Sequence, residues 1–113
     1  MTRIYKLIDR KAWERALSLG RFDGAGVDLR DGYIHFSTAA QAGETARRYF
    51  QGQSDLLMLT LETEALGDLR WEPARGGDLF PHLYGPLDPS LVIETRALSL
   101  DAEGTLVLGT LAS

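Results

Sequence analysis

Apolar residues along this chain recur with two different periods, and the switches between them mark the predicted elements. Residues 3–8 are rich in β-branched and aromatic side chains and read as an opening strand. Asp9 is placed to cap a helix over about residues 10–19, where Ala12, Trp13, Ala16, Leu17 and Leu19 form an apolar face and Gly20 ends it. Residues 21–32 are rich in Gly and Asp without periodicity, which predicts a surface loop able to fold over a cleft. Alternation returns at residues 33–37, sending Ile34 and Phe36 to the core and Tyr33, His35 and Ser37 to the other face. Ser37 or Thr38 then caps a second helix to about Phe50, with Gly52 as its stop.

The second half is strand-like. Leu56-Leu57-Met58-Leu59-Thr60-Leu61 is an almost unbroken apolar run, as expected for a central strand buried on both faces. Residues 69–72 predict a short strand in which a buried Trp71 leaves Glu72 on the opposite face. Residues 73–78, with Gly76-Gly77, read as a turn, and residues 80–87, with Pro81, Gly85 and Pro86, as a stiff loop. A strand over 91–100 follows, and residues 101–104 join it to an alternating tail over 105–111 as an antiparallel hairpin. With two helices in the N-terminal half and about six strands in all, the pattern predicts α+β rather than an alternating parallel sheet. No linker or repeat interrupts residues 1–113, so one domain is expected.

Composition removes whole classes of chemistry. The chain is 44% apolar and 25% charged, which suits a globular domain rather than a disordered or fibrous one. It has no cysteine, excluding disulfides, thiolate metal sites and a cysteine nucleophile. The apolar run at 56–61 is far short of the roughly 20 residues that span a bilayer. No signal-peptide pattern opens the chain, so a cytoplasmic monomer away from membranes is expected. A net charge of −4 without a basic cluster argues against a nucleic-acid partner and leaves a small molecule as the expected ligand.

The chain holds only two histidines, His35 in Tyr33-Ile34-His35-Phe36-Ser37 and His82 in Phe80-Pro81-His82-Leu83-Tyr84. Imidazole is the side chain best suited to moving protons near neutrality, so both are candidate catalytic residues. Glu72 is the third, provided the fold brings it beside either histidine. Tyr33, Ser37, Thr38, Phe80 and Tyr84 are candidate ligand contacts: hydroxyls for hydrogen bonding and aromatic rings to stack a flat group. Ser37 is two residues from His35 on one strand and has no nucleophile elbow, so serine hydrolysis is not expected. No His-x-His or His-x-x-x-His pair is present, and no metal site is assigned. Arg75 beside Gly76-Gly77 is a weak phosphate signal, lacking the strand–glycine–helix setting. The competing reading makes both histidines structural, satisfied by neighbouring backbone.

Ile4-Tyr5-Lys6-Leu7, Trp13 with Ala16, Asp31-Gly32-Tyr33-Ile34-His35-Phe36-Ser37-Thr38 with Gln41, Tyr49-Phe50, Arg70-Trp71-Glu72 and Phe80-Pro81-His82-Leu83-Tyr84-Gly85-Pro86-Leu87 together resemble the small, mostly bacterial family catalogued as domain of unknown function 952. The resemblance runs from about residue 3 to 95, and the ordered pair Ile-His-Phe-Ser and Phe-Pro-His-Leu-Tyr carries most of it. That family is grouped by fold with the ADP-ribosyltransferases, which hold NAD between two small sheets. The resemblance therefore implies a split or curved sheet, a ribose- or nucleotide-binding cleft, NAD as the cofactor, and a late glutamate, here Glu72, acting on ribose. Family members carry a histidine where this chain has Lys6. A non-catalytic small-molecule or peptide-binding module using the same cleft is the alternative.

Overall fold

The computed structural model describes residues 2–113 apart from the side chain of Arg75, so the reading of that arginine lies outside the described residues. Strand β1 (Arg3–Asp9) leads directly into helix α1 (Arg10–Leu19). The Asp9 carboxylate accepts from Ala12 N–H, and Gly20, at φ 78°, closes the helix by donating to the Ala16 and Leu17 carbonyls. A five-residue helix, α2 (Val27–Asp31), is followed by β2 (Ile34–His35), β3 (Ser37–Thr38) and helix α3 (Ala39–Tyr49). Then come β4 (Leu56–Glu62), β5 (Leu69–Pro73), β6 (Leu79–Leu83), β7 (Glu94–Ala97), β8 (Ser99–Leu100) and β9 (Leu106–Val107).

The strands form an antiparallel four-stranded sheet ordered β3-β1-β4-β7, a three-stranded sheet ordered β2-β6-β5, and the small hairpin β8-β9. As the apolar run predicts, β4 is internal, paired along its whole length with β1 and along its first half with β7. The period of two splits the large sheet into two buried faces. On one, Ile4, Ile8, Leu57, Leu59 and Leu61 pack with Trp13 of α1, Phe22, and Ile34 and Leu83 of the small sheet. On the other, Tyr5, Leu7, Leu56 and Met58 pack with Ala46 of α3 and with the C-terminal tail. Lys6 lies between Ile4 and Ile8 in the alternation and therefore projects with them towards the small sheet.

The α+β class holds, and the sequence reading needs correcting in five places. A helix, α2, lies inside the predicted loop 21–32; five residues are too few to show a helical period. The predicted strand 33–37 is two strands in two different sheets, with Phe36 as the crossing point. Phe36 N–H donates to the Pro81 carbonyl at 3.0 Å, but proline has no N–H to return, so the β2-β6 ladder stops there. The first half of the predicted stiff loop 80–87 belongs to β6, the middle strand of the small sheet. Pro81 disguises it, because it sits where a missing donor ends a ladder instead of breaking one. Trp71 is 41% exposed rather than buried, since β5 is an edge strand. The strand expected over 91–100 begins only at Glu94, after a 3-10 turn Pro89–Leu91, and is divided between β7 in the large sheet and β8 in the small hairpin.

Among the described residues, no helix is long and apolar enough to cross a membrane. Thr38 opens α3 through a capping box with Gln41. Replacing it with alanine is expected to lower stability by about 1 kcal/mol, and Leu59→Ala in the middle of β4 by ~2–5 kcal/mol. Urea unfolding checks both; an unchanged midpoint in either variant would contradict the packing described.

Candidate functional site

Strand pairing brings the two histidines together. His35 and His82 are directly opposite across β2 and β6, and Arg70 on β5 is opposite His82, so the three form one row across the small sheet. Alternation turns Ile34, Leu83 and Pro81 to the core and this row to the other face. The His35 and His82 rings are edge to face, 5.2 Å between centroids. Tyr33 lies against both, at 4.7 Å from His35 and 4.2 Å from His82, and also against Tyr84 at 5.1 Å. The Arg70 guanidinium sits 4.4 Å over the Tyr84 ring and is tied to Asp68 at 3.1 Å.

Each imidazole is held at Nδ1 by a carboxylate. Glu72 Oε1 accepts from His82 Nδ1 at 2.8 Å and from the Tyr84 hydroxyl at 2.8 Å. These two bonds, from His82 first and Tyr84 second, hold the Glu72 carboxyl below its ordinary range; the same bond and the nearby negative charge push the Tyr84 phenol up. Among the described residues Glu72 Oε2 accepts no hydrogen bond and His82 Nε2 makes none. No buried side-chain nitrogen or oxygen among them is sealed without a partner, so Nε2 of His82, in a ring only 3% exposed, meets solvent.

His35 is more completely engaged. Its Nδ1 lies 2.6 Å from Asp28 Oδ1 and its Nε2 3.0 Å from Asp31 Oδ2. Carboxylates only accept, so both contacts are satisfied together when both ring nitrogens carry hydrogen. Asp28, 2% exposed, also receives the backbone N–H of His35 at 3.0 Å, Ala25 N–H at 3.1 Å and the Lys6 ammonium at 2.9 Å. Burial raises the Asp28 carboxyl, but the His35 hydrogen bond and the Lys6 charge outweigh it and hold the group at about 2. Burial lowers Lys6 despite its pairing with Asp28. A two-way backbone bridge between Phe22 and Leu87, at 2.9 and 2.8 Å, ties the segment leading into α2 to the end of the β6 segment.

Of the expected site residues, His35, Glu72, His82, Tyr33 and Tyr84 therefore form one contiguous cluster. Ser37 and Thr38 are placed elsewhere, and Phe80, directly opposite Glu72 across β5 and β6, borders the cluster. Ser37, beyond the crossing, is buried and shares a 2.8 Å hydrogen bond with Thr45 of α3. Thr38 caps α3, and Phe80 is 7% exposed beside a separate recess of ≈ 280 Å³ that also includes Gln41, Glu44 and Arg48. The sequence reading missed Asp28 and Asp31, both in the segment taken for a loop, and the burial of Lys6; an isolated charge within an apolar strand was the available signal. Beside Tyr33 an open recess of ≈ 240 Å³ is bounded by Asp23, Asp28, Leu29, Gly32, Ile34, Gly85 and Pro86. Among the described residues no group of three or more His, Asp or Glu is arranged to hold a metal ion.

Two measurements check these electrostatics. Holding the Asp28 carboxyl at about 2 rather than 3.8 contributes about 2 kcal/mol of stability. The folded value is the lower one, so this contribution is complete above about pH 4 and is lost as pH falls through about 2. Urea unfolding between pH 5 and 2 should show a steeper loss for the native chain than for a K6M/D28N variant; parallel curves would refute the assignment. In E72Q, the Tyr84 phenol loses its anionic acceptor and should ionise at lower pH in an ultraviolet titration. An unchanged phenol titration would show that the hydrogen bond does not form.

Residues 7–95 match the model of a family described as Protein of unknown function (DUF952). The crystal structure of protein CC0527 from Caulobacter crescentus is similar, with 51% identity, 95% of each chain covered and a TM-score of 0.91. The solution NMR structure of CC0527 gives 52% identity over 93% of this chain and 91% of that one, with a TM-score of 0.84. No curated protein matches. With more than half of its length matched to the family model and half of its residues shared with CC0527 over nearly the whole fold, the chain belongs to the DUF952 family.

Proposed function

We propose that this chain, acting as a single-domain cytoplasmic monomer, binds a small ribose- or nucleotide-containing molecule on the outer face of its three-stranded sheet, where His82 and Glu72 engage a hydroxyl group. The observation that carries this reading is the unused pair of acceptors, His82 Nε2 and Glu72 Oε2, side by side in a cluster where Glu72 Oε1, His82 Nδ1 and the Tyr84 hydroxyl are already partnered. With Nδ1 donating to Glu72, Nε2 of His82 is the lone-pair nitrogen and can accept a hydroxyl proton. His35 complements it as a donor, because Asp31 at its Nε2 is exposed and displaceable by a ligand oxygen. Tyr33 and Tyr84 offer a face to a flat ring, and Arg70 a cation to a phosphate.

The resemblance to ADP-ribosyltransferases makes NAD the first dinucleotide to test, with Glu72 acting on ribose. Lys6 is engaged by Asp28 and the His35 carbonyl and does not reach for ligand.

A non-catalytic binding module is the second reading, favoured by Tyr33 lying across His82. NMR titration with ribose 5-phosphate, adenosine monophosphate and NAD tests the proposal. The expected result is shifts of the His35, His82 and Tyr33 rings with at least one of the three. H82A and E72Q should each weaken binding by about tenfold, the worth of one good hydrogen bond. No shift at either histidine up to millimolar ligand refutes the site; binding without turnover of any of the three selects the module.

A further inference from the structure

Three polar groups of His35 are held by one buried ion pair. Asp28 Oδ1 accepts from its backbone N–H at 3.0 Å and lies 2.6 Å from its Nδ1, while the Lys6 ammonium donates to its carbonyl at 3.0 Å. We infer that Asp28, backed by Lys6, is a positioning residue that keeps a hydrogen on Nδ1 of His35 and presents Nε2, the opposite nitrogen, to the molecule the site takes. This rests on the ligand reading above and adds how one of its two imidazoles is set.

A structural ion pair alone would not require this arrangement. Asp28 Oδ2 already meets Lys6 at 2.9 Å and Ala25 N–H at 3.1 Å, so the buried charge is compensated and α2 is anchored without the imidazole. The short contact from Oδ1 adds control of the ring. Both carboxylates at the ring accept only from N–H, and when the ring carries a single hydrogen the shorter, buried Asp28 contact at Nδ1 wins it over the longer, more exposed Asp31 contact at Nε2. Lys6 makes that anionic acceptor tolerable in a site of very low exposure. Because the Tyr33 ring rests on His35 at 4.7 Å and on His82 at 4.2 Å, turning the His35 ring also unseats the aromatic cover of His82.

The test is K6M/D28L, which removes both charges together and places apolar side chains of similar size at two buried positions, a change that buried ion pairs often tolerate. In the ligand-free chain, nitrogen-15 NMR of the His35 ring should show loss of the protected Nδ1 hydrogen and a shift towards the Nε2–H form that Asp31 accepts, with the His82 ring still in its Nδ1–H form. Adenosine monophosphate should then bind about tenfold more weakly than to the native chain, by calorimetry. If K6M/D28L does not fold, K6M/D28N retains the side-chain shapes, and faster exchange of the Nδ1 hydrogen is the expected result. An unchanged His35 ring spectrum overturns the inference, as does unchanged affinity when the native chain binds. A changed ring spectrum with no binding to either protein leaves the ring-setting role standing and refutes the ligand reading alone.

Discussion

The carboxylate of Asp28 is almost wholly removed from water, and much of the architecture around the site follows from having to satisfy it. An isolated buried charge costs several kcal/mol even after the protein relaxes around it. Here the compensation comes from a lysine on β1, the backbone and ring of β2, and the turn that starts α2. One side chain thereby ties the large sheet, the small sheet and the segment between them. Removing only one partner would leave the other charge buried, which costs ~3–5 kcal/mol, so Lys6 and Asp28 constrain one another.

The split between the sheets is what assembles the candidate site. If residues 33–38 continued as one strand, His35, Ser37 and Tyr33 would share a face and β6 would pair with all of them. The ladder instead ends at Phe36, where Pro81 accepts and cannot donate. The chain beyond joins β1 in the other sheet, taking Ser37 and Thr38 with it. His35 is left at the end of a two-residue strand, opposite His82 and next to the open end of the sheet, with α2 close enough to supply Asp28 and Asp31. The same proline that obscured β6 in the sequence is the residue that ends the pairing.

Legibility in the sequence tracked how local each cause is. Helices α1 and α3 were readable because their caps, Asp9, Gly20 and Thr38, lie beside the residues they cap. Strand β4 was readable because burial on both faces leaves an apolar run. The convergence of His35, His82 and Glu72 was suggested by residue type and resemblance, but only strand register supplies it: His35 opposite His82, and Glu72 two residues along β5 from Arg70. The role of Asp28 was illegible for the same reason. Its partners lie 22 residues away on β1 and seven away on β2, so nothing in the Gly- and Asp-rich stretch around it distinguishes it from a solvated aspartate.

The two carboxylate–imidazole pairs differ in a way that separates structure from chemistry. Asp28 is shared among Lys6, His35 and Ala25 and has no capacity left; its work is to hold things still. Glu72 is about one-third exposed on the edge strand, takes both of its bonds on one oxygen, and leaves the other open. A saturated, buried carboxylate gains nothing by meeting a ligand, because any new bond must displace an existing one. A half-satisfied carboxylate at the solvent boundary gains a full bond without displacing a protein donor. The ligand chemistry we propose therefore belongs on the β5-β6 side of the cluster, around Glu72 and His82, with the Asp28 side acting as the frame against which His35 and Tyr33 are set.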